Sequence, residues 1–349
     1  MTSSDRVEEL FKYWREKGYP HYDRYEYDAF DELDKIIQYD TRELIDGDNI
    51  VQTMHGLGFL WTFHPHWVEV NNILELWDDD DKLRELCRKT IEYCDKHEDG
   101  KVSVNRIRQN SKVYLAKQSV SNFRPTAAKY IYNTYGNKGV VYDPCAGWGG
   151  RLFGFLASNC KKYIGVEPST KSFQGLQELN DTYNKGILFD TFKDVELRNV
   201  CAEDWIPHEL VDLVFTSPPY FDVEKYSDED TQSYKRYTTI DSWNENFLHK
   251  TIGKLIPTLK KDGTLAINIA DVYHESVKGY VDITNSMNDF IKSQGLKYEG
   301  CIGMEMTKRF NSAGAGKAVS DYYADNLKEK AKITENMAFG EPIWIWKKK

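Results

Sequence analysis

Between residues 139 and 269 short apolar runs alternate with helix-patterned stretches, and this rhythm constrains the fold more than any other feature. Gly139-Val140-Val141-Tyr142-Asp143 reads as a strand ending in an acid. A glycine-rich turn, Pro144 to Arg151, leads into a helix that starts at Leu152. Lys162 to Glu167 is a second strand ending in an acid, followed by a helix through Phe173, Leu176 and Leu179. Leu197 to Cys201 and Val211 to Phe215 read as the third and fourth strands. A long helix from Trp243 to Leu259 then precedes a fifth, Gly263 to Ile269. After a helix around Met287 to Ile291, Tyr298–Met306 and Pro342–Trp346 supply the last strands. Such a succession specifies an α/β fold, a doubly wound sheet with ligand groups at the carboxyl ends of its strands.

The first hundred residues follow a different pattern. Apolar groups fall at helical spacing from Val7 to Trp14 and through Phe30, Leu33, Ile36 and Ile37. The acidic turn Asp78–Asp81 caps a helix from Lys82 to about Cys94. Residues 1–100 are thus a mostly helical region, and 101–349 the α/β domain. His64 and His66 flank Pro65, but no Cys or carboxylate sits at ligand spacing, so a structural role is expected and no metal. Arg106, Arg108, Lys112, Lys117, Arg124 and Lys129 form a basic strip, either a solvated face or a contact for phosphates.

With 349 residues and a net charge of −9, the chain is not built for nonspecific nucleic-acid coating, although a local basic groove is compatible with that sum. The N-terminus lacks a signal-peptide pattern and no run approaches a membrane span. Its six cysteines match neither a disulfide framework nor a zinc motif, which points to reduced thiols in the cytoplasm.

Two stretches carry the chemistry. The first strand ends at Asp143, and Gly147, Gly149 and Gly150 let the backbone approach a ligand closely. The spacing is neither the dinucleotide G-x-G-x-x-G nor a P-loop. Glu167, ending the second strand, is placed to accept hydrogen bonds from a ribose diol, and Asp204 to accept one from an adenine amino group. A nucleoside-containing cofactor without a pyrophosphate follows. The second stretch, Thr216-Ser217-Pro218-Pro219-Tyr220-Phe221, stops the fourth strand in a rigid turn tipped by an aromatic ring. Its fixed carbonyls and flat ring suit a planar amine or amide.

Asp143-Pro-Cys-Ala-Gly-Trp-Gly-Gly-Arg151 resembles the first motif of S-adenosylmethionine-dependent methyltransferases. Thr216-Ser217-Pro218-Pro219-Tyr220 resembles the catalytic motif of the DNA amino-methyltransferases, which methylate the exocyclic nitrogen of cytosine or adenine. Asn122-Phe123-Arg124-Pro125-Thr126 resembles the block that precedes the cradle and closes over the methionine part of the cofactor. The order is that of the gamma arrangement, and the resemblance covers roughly residues 118–305. It implies a Rossmann-like class I methyltransferase sheet, S-adenosylmethionine as cofactor, and a DNA substrate whose target base is flipped out. It also implies residue roles. Asn122, Phe123, Arg124, Pro125, Asp143, Cys145, Gly147, Gly149, Glu167, Asp204 and Ser217 would form the cofactor site. Ser217, Pro218, Pro219 and Tyr220 would be catalytic, with Ser217 and the Pro218 carbonyl accepting from the amino group and Tyr220 stacking on the base.

The departures from the pattern carry information. A serine in the first catalytic position tilts the target toward cytosine N4. Cys145 replaces the usual aromatic. No long segment follows for target recognition, so residues 1–100, the loop Asp222–Tyr237 or the basic stretch Lys308–Lys317 would read DNA, as a monomer or homodimer. Two other readings keep the fold: an RNA or protein-amide methyltransferase, with Ser217 arguing against the amide, and an inactive DNA-binding subunit, against which the intact motif set argues.

Overall fold

The computed structural model describes residues 2–23, 29–46, 49–50, 60–116, 122–184, 192–274, 278–307 and 338–349. The basic stretch Lys308–Lys317, together with Lys117 of the strip, lies outside them. The strands are β1 (Ile45–Asp46), β2 (Asn49–Ile50), β3 (Val140–Asp143), β4 (Lys162–Val166), β5 (Asp194–Arg198) and β6 (Val211–Thr216). They continue with β7 (Leu259–Asn268), β8 (Val272–His274), β9 (Gly279–Val281), β10 (Lys297–Thr307) and β11 (Ala338–Lys347). Nine of them form one sheet in the order β1-β2-β10-β11-β7-β6-β3-β4-β5. The run from β5 to β7 is parallel throughout, and β11 enters antiparallel between β7 and β10. This is the doubly wound, Rossmann-like sheet that the sequence specifies.

Burial explains which strands the sequence exposes clearly. All six residues of β6 are buried, and its one charge, Asp212, is matched by Lys260 at 2.7 Å while accepting the Val140 N–H at 2.9 Å. Edge strand β5 reads Asp-Val-Glu-Leu-Arg, because an edge tolerates charge where a central strand does not. The expected strand Leu197–Cys201 is therefore displaced: pairing with β4 runs over Asp194–Arg198. The helix expected from Trp243 instead starts at Ile240, passes through a π segment at Asn244–His249, and ends at Thr258 after Pro257.

The chain divides into two compact units, Met1–Glu26 with Phe63–Ser121, and Tyr27–Thr62 with Asn122–Lys349. Composition places the boundary at residue 100. By contact, residues 101–121 join the first unit and 27–62 the second.

In the first unit, helix Ser3–Lys17 opens on a capping box made by Thr2 and Asp5, and helix Asp80–His97 is capped by Asp79, which accepts from the N–H groups of Asp81 and Lys82. A helix over Leu60–Val70 carries Pro65 in its interior. His64 is fully buried on it, stacked between Tyr19 and Trp67 at centroid distances of 5.8 and 5.7 Å. Burial drives its pKa down to about 2, so it is a neutral ring of the core.

The basic strip is largely committed to the protein itself. Arg106 pairs with Glu98, and Arg108, buried, donates to the carbonyls of Pro20 and His21 at 2.7 Å each. In the second unit, Lys129 donates to the carbonyls of Ile36, Ile37 and Tyr39 at 2.7, 2.8 and 3.0 Å. It thereby satisfies the C-terminal end of helix Ala29–Gln38. Arg124 differs. It is half-buried at the N-cap of helix Pro125–Tyr135, where its carbonyl accepts the Ala128 N–H, and its guanidinium has no hydrogen bond or ion pair with a described residue.

Candidate active site

The order of strands around β3 reverses between β3 and β6, and their carboxyl ends open a crevice at that switch point. Asp143 closes β3 and Ser217 follows β6, so both sequence motifs arrive at the same edge.

Asp143 is 1% exposed, and protein donors take up its acceptor capacity. Oδ2 accepts from Arg151 Nε at 2.7 Å and from the Tyr163 hydroxyl at 2.9 Å. Oδ1 accepts from Thr216 Oγ1 at 2.9 Å, Arg151 at 3.2 Å and the Cys145 N–H at 3.3 Å. Arg151, also buried, donates to the Cys145 carbonyl as well. The expected cofactor residue Asp143 is thus the brace beneath the glycine turn, with its oxygens turned to the protein. Cys145 belongs to the same brace, since its N–H also donates to Thr216 Oγ1 at 3.1 Å. Through that one hydroxyl the cofactor turn and the catalytic turn are joined.

The glycine turn has the shape of a cradle. Gly147 and Gly149 sit at φ +61° and +94°, which side chains rarely tolerate. A Cβ on Gly147 would meet only the Cys145 carbonyl oxygen, at 3.9 Å, so the space above it is open. Gly150 serves a different need: a Cβ there would lie 2.1 Å from the Phe123 carbonyl oxygen. The block Asn122–Pro125 can therefore lie directly on the turn. Asn122 accepts the Gly150 N–H at 3.2 Å and donates to the Trp148 carbonyl at 3.3 Å. Phe123 is buried against Phe215, centroids 5.4 Å apart, and Pro125 starts its helix with no N–H to satisfy.

Glu167 lies just beyond β4, 7% exposed, accepting the Gly147 N–H at Oε2 and the Ser169 N–H at Oε1, each at 2.9 Å. Each oxygen keeps a further lone pair for a diol. Burial pushes its pKa up to about 7, against the pull of the two N–H donors. Asp204, the expected adenine acceptor, follows β5. Its side chain is 42% exposed and engaged by Arg236 at 2.8 Å and Lys250 at 3.5 Å. Among the described residues, Cys201, Glu203 and Asp204 bring potential metal-ligand atoms within 4.8 Å of one another. Arg236 donates to both carboxyl groups, so positive charge is already supplied there.

On the catalytic side, Pro218 and Pro219 remove two successive donors and end the β6 ladder. The chain reverses at Phe221, whose φ of +50° is rare for an aromatic residue and whose ring is buried against Trp243. Two carboxyl groups hold Tyr220 in place. Its N–H donates to Glu224 at 3.3 Å and its hydroxyl to Glu341, on β11, at 2.7 Å. Tyr226 donates to Glu224 at 2.8 Å and meets Trp148 edge-on at 5.2 Å, which ties the catalytic turn back to the cradle. Ser217 Oγ donates to Asn268 Oδ1 at 3.2 Å.

The loop Asp222–Tyr237, a candidate DNA reader, is fastened toward the cofactor end. Glu229 accepts from the Thr170 N–H at 2.9 Å, the Thr170 hydroxyl at 3.0 Å and the Ser169 hydroxyl at 3.3 Å. Of its cations, Arg236 pairs with Glu203 and Asp204, and Lys235 donates to the Asp228 carbonyl. Sequence reasoning passed over Glu224, Glu229, Asn268 and Glu341. Asn268 had a signal: it is a polar residue ending an apolar strand at the ligand edge. Glu341 had none, since its pairing with Tyr220 arises only from the fold.

Residues 211–337 match a family model described as DNA methylase, of the N6/N4 type. Over these residues the chain is similar to that methylase family. A stretch of 100 residues, 28% of this chain, is 34% identical to the Type II methyltransferase M.MjaVI of Methanocaldococcus jannaschii, and the chain spans about half (46%) of that relative's length. Among solved structures, the chain is similar to a putative RNA methyltransferase from Pyrococcus horikoshii: TM-score 0.37, 12% identity, over 64% of this chain and 82% of that one. It is also similar to an O-methyltransferase from Brevibacillus brevis in complex with S-adenosyl-L-homocysteine: TM-score 0.39, 10% identity, 64% and 71% covered. The matched residues begin at β6 and include the Ser217–Tyr220 turn. Among the described residues no helix is long and apolar enough to cross a membrane.

Proposed function

We propose that this amino-methylase transfers a methyl group from S-adenosylmethionine to the exocyclic amino nitrogen of a flipped DNA base, cytosine N4 in preference to adenine N6. The observation that carries this reading is the hydrogen-bond path Cys145 N–H to Thr216 Oγ1 to Asp143, which joins a glycine cradle to a Ser-Pro-Pro-Tyr turn at one sheet edge. The cradle fits the cofactor: Gly147 leaves open space, Glu167 offers two acceptor oxygens, and Arg124 is a cation with no protein counter-ion among the described residues. Bound there, S-adenosylmethionine supplies an electrophilic methyl group. Arg124 holds its carboxylate, and Glu167 accepts from its ribose hydroxyls.

The remaining work falls to the catalytic turn. Ser217 and the Pro218 carbonyl accept the two N–H bonds of the target amine, which leaves the nitrogen lone pair facing the cradle. The Tyr220 ring covers the face of the base. Positive charge develops on the nitrogen as it reacts, so acceptors directed at its protons stabilise the transition state more than the ground state. A strong base is not required before transfer, because the proton leaves afterward. Glu224 and Glu341 hold Tyr220 by its N–H and its hydroxyl. The preference for cytosine rests on the serine at position 217. Transfer of labelled methyl from S-adenosylmethionine to unmethylated DNA tests the reading: incorporation is expected, and cofactor binding with no incorporation would refute it.

The raised pKa of Glu167 has a measurable consequence. Relative to its ordinary value of 4.5, the folded chain retains a proton that the unfolded chain releases up to about pH 7. Ionised Glu167 therefore costs the ligand-free fold stability as pH rises through that window. Two ribose hydroxyls donate to the ionised form, so cofactor binding favours it. Affinity for S-adenosylhomocysteine is expected to rise roughly tenfold between about pH 6 and pH 8. Glu167→Gln should weaken binding and flatten that pH dependence in calorimetric titrations.

A further inference from the structure

We infer that Asn268 is a positioning residue that fixes the Ser217 hydroxyl as a hydrogen-bond acceptor toward the target amine. The inference rests on the methylase reading and assigns a role to a residue that no motif contains.

A serine hydroxyl has one proton and two lone pairs. In this site the direction of that proton decides the chemistry. If Ser217 donated to the amine nitrogen, it would occupy the lone pair that must attack. If it accepts from an amine N–H, the lone pair is left to the methyl carbon. A freely rotating hydroxyl would sample both arrangements.

Asn268 removes the choice. It closes β7, is 1% exposed, and pairs with Ile343 of β11, while its neighbour Ile267 pairs with Thr216. Its side-chain orientation is forced. Nδ2 lies 3.0 Å from the Pro342 carbonyl oxygen, which can only accept. The amide must therefore donate there and present Oδ1 to Ser217, 3.2 Å away. An amide oxygen cannot donate, so Ser217 gives its proton to Asn268 and turns its lone pairs outward. The same Pro342 oxygen also accepts the Ile269 N–H at 3.3 Å, which anchors it in the sheet. An asparagine has a further property here: it cannot take the proton onward as a carboxylate would. Its part is orientation, and the substrate proton leaves by another route.

The test uses full-length protein with Ser217→Ala, Asn268→Leu and the double variant. Leucine keeps the branched shape of Asn268, though it is somewhat larger, and leaves Pro342 its second donor, so the fold should persist; thermal unfolding and S-adenosylhomocysteine affinity verify this. Asn268→Ala serves if leucine does not fold. Single-turnover methyl transfer is expected to fall about tenfold in Asn268→Leu, with DNA and S-adenosylhomocysteine affinities unchanged. The decisive readout is the cycle: the double variant should be no slower than Ser217→Ala alone, because Asn268 acts only through that hydroxyl. Multiplying losses, or an Asn268→Leu protein at wild-type rate, would overturn the assignment while leaving the methylase reading intact. Absence of transfer by the wild-type protein would overturn both.

Discussion

Replacing Asp143 by alanine should lower the stability of the sheet-bearing unit by about 3–5 kcal/mol, the usual consequence of leaving a buried ion-pair partner uncompensated. Arg151 would keep its charge in the interior with Nε unpaired and its terminal nitrogen left with only the neutral Cys145 carbonyl. The hydroxyls of Tyr163 and Thr216 would lose their acceptor as well. For a unit of this size, thermal unfolding should move down by roughly 10 °C or more. A double variant, Asp143→Leu with Arg151→Met, should recover part of the loss, since an apolar pair of similar volume often replaces a buried ion pair without penalty. If Asp143 held the cofactor with a free carboxylate, the pattern would invert: alanine would leave the midpoint near wild type and remove cofactor affinity. A midpoint within a degree or two of wild type would contradict the brace.

That case shows what the sequence exposed and what it concealed. An acid ending the first strand before a glycine turn is visible in the chain, and so is its place at the ligand edge. The direction its carboxylate faces depends on Arg151, Tyr163 and Thr216, which are distant in sequence and converge only when β3, β4 and β6 pair. Asp204 concealed its surroundings in the same way, because Arg236 and Lys250 reach it from separate helices. The central strands were legible because burial on both faces demands continuous apolar runs. Edge strand β5 was displaced because an edge does not make that demand. Helix Leu60–Val70 was hidden by Pro65, a local breaker overridden by tertiary packing. The Ser217–Tyr220 turn was the most legible part of the site, since two prolines dictate its geometry locally.

Tyr220→Ala should reduce kcat/KM for DNA by about 10- to 100-fold, the range expected from losing one base–aromatic stack. Part of the loss should appear in the single-turnover rate, because an uncovered base no longer holds its amine against Ser217 and Pro218. Cofactor affinity should be unchanged, as the ring is fixed by Glu224, Glu341 and the turn itself. Tyr220→Phe separates the two functions of the residue. It keeps the stacking face and loses only the 2.7 Å hydrogen bond to Glu341, so a loss of at most about tenfold is expected. Equal damage from both variants would mean that the phenol, and not the ring face, carries the function. Full activity in Tyr220→Ala would remove the residue from the site.

The central claim is that the chain methylates an exocyclic amino group of DNA, with Ser217 favouring cytosine. Its most direct test is digestion of DNA to nucleosides after incubation with the protein and S-adenosylmethionine, followed by mass spectrometry. The account predicts N4-methylcytosine. N6-methyladenine would overturn the base assignment and keep the chemistry, whereas 5-methylcytosine or DNA free of any new methyl group would contradict the claim itself.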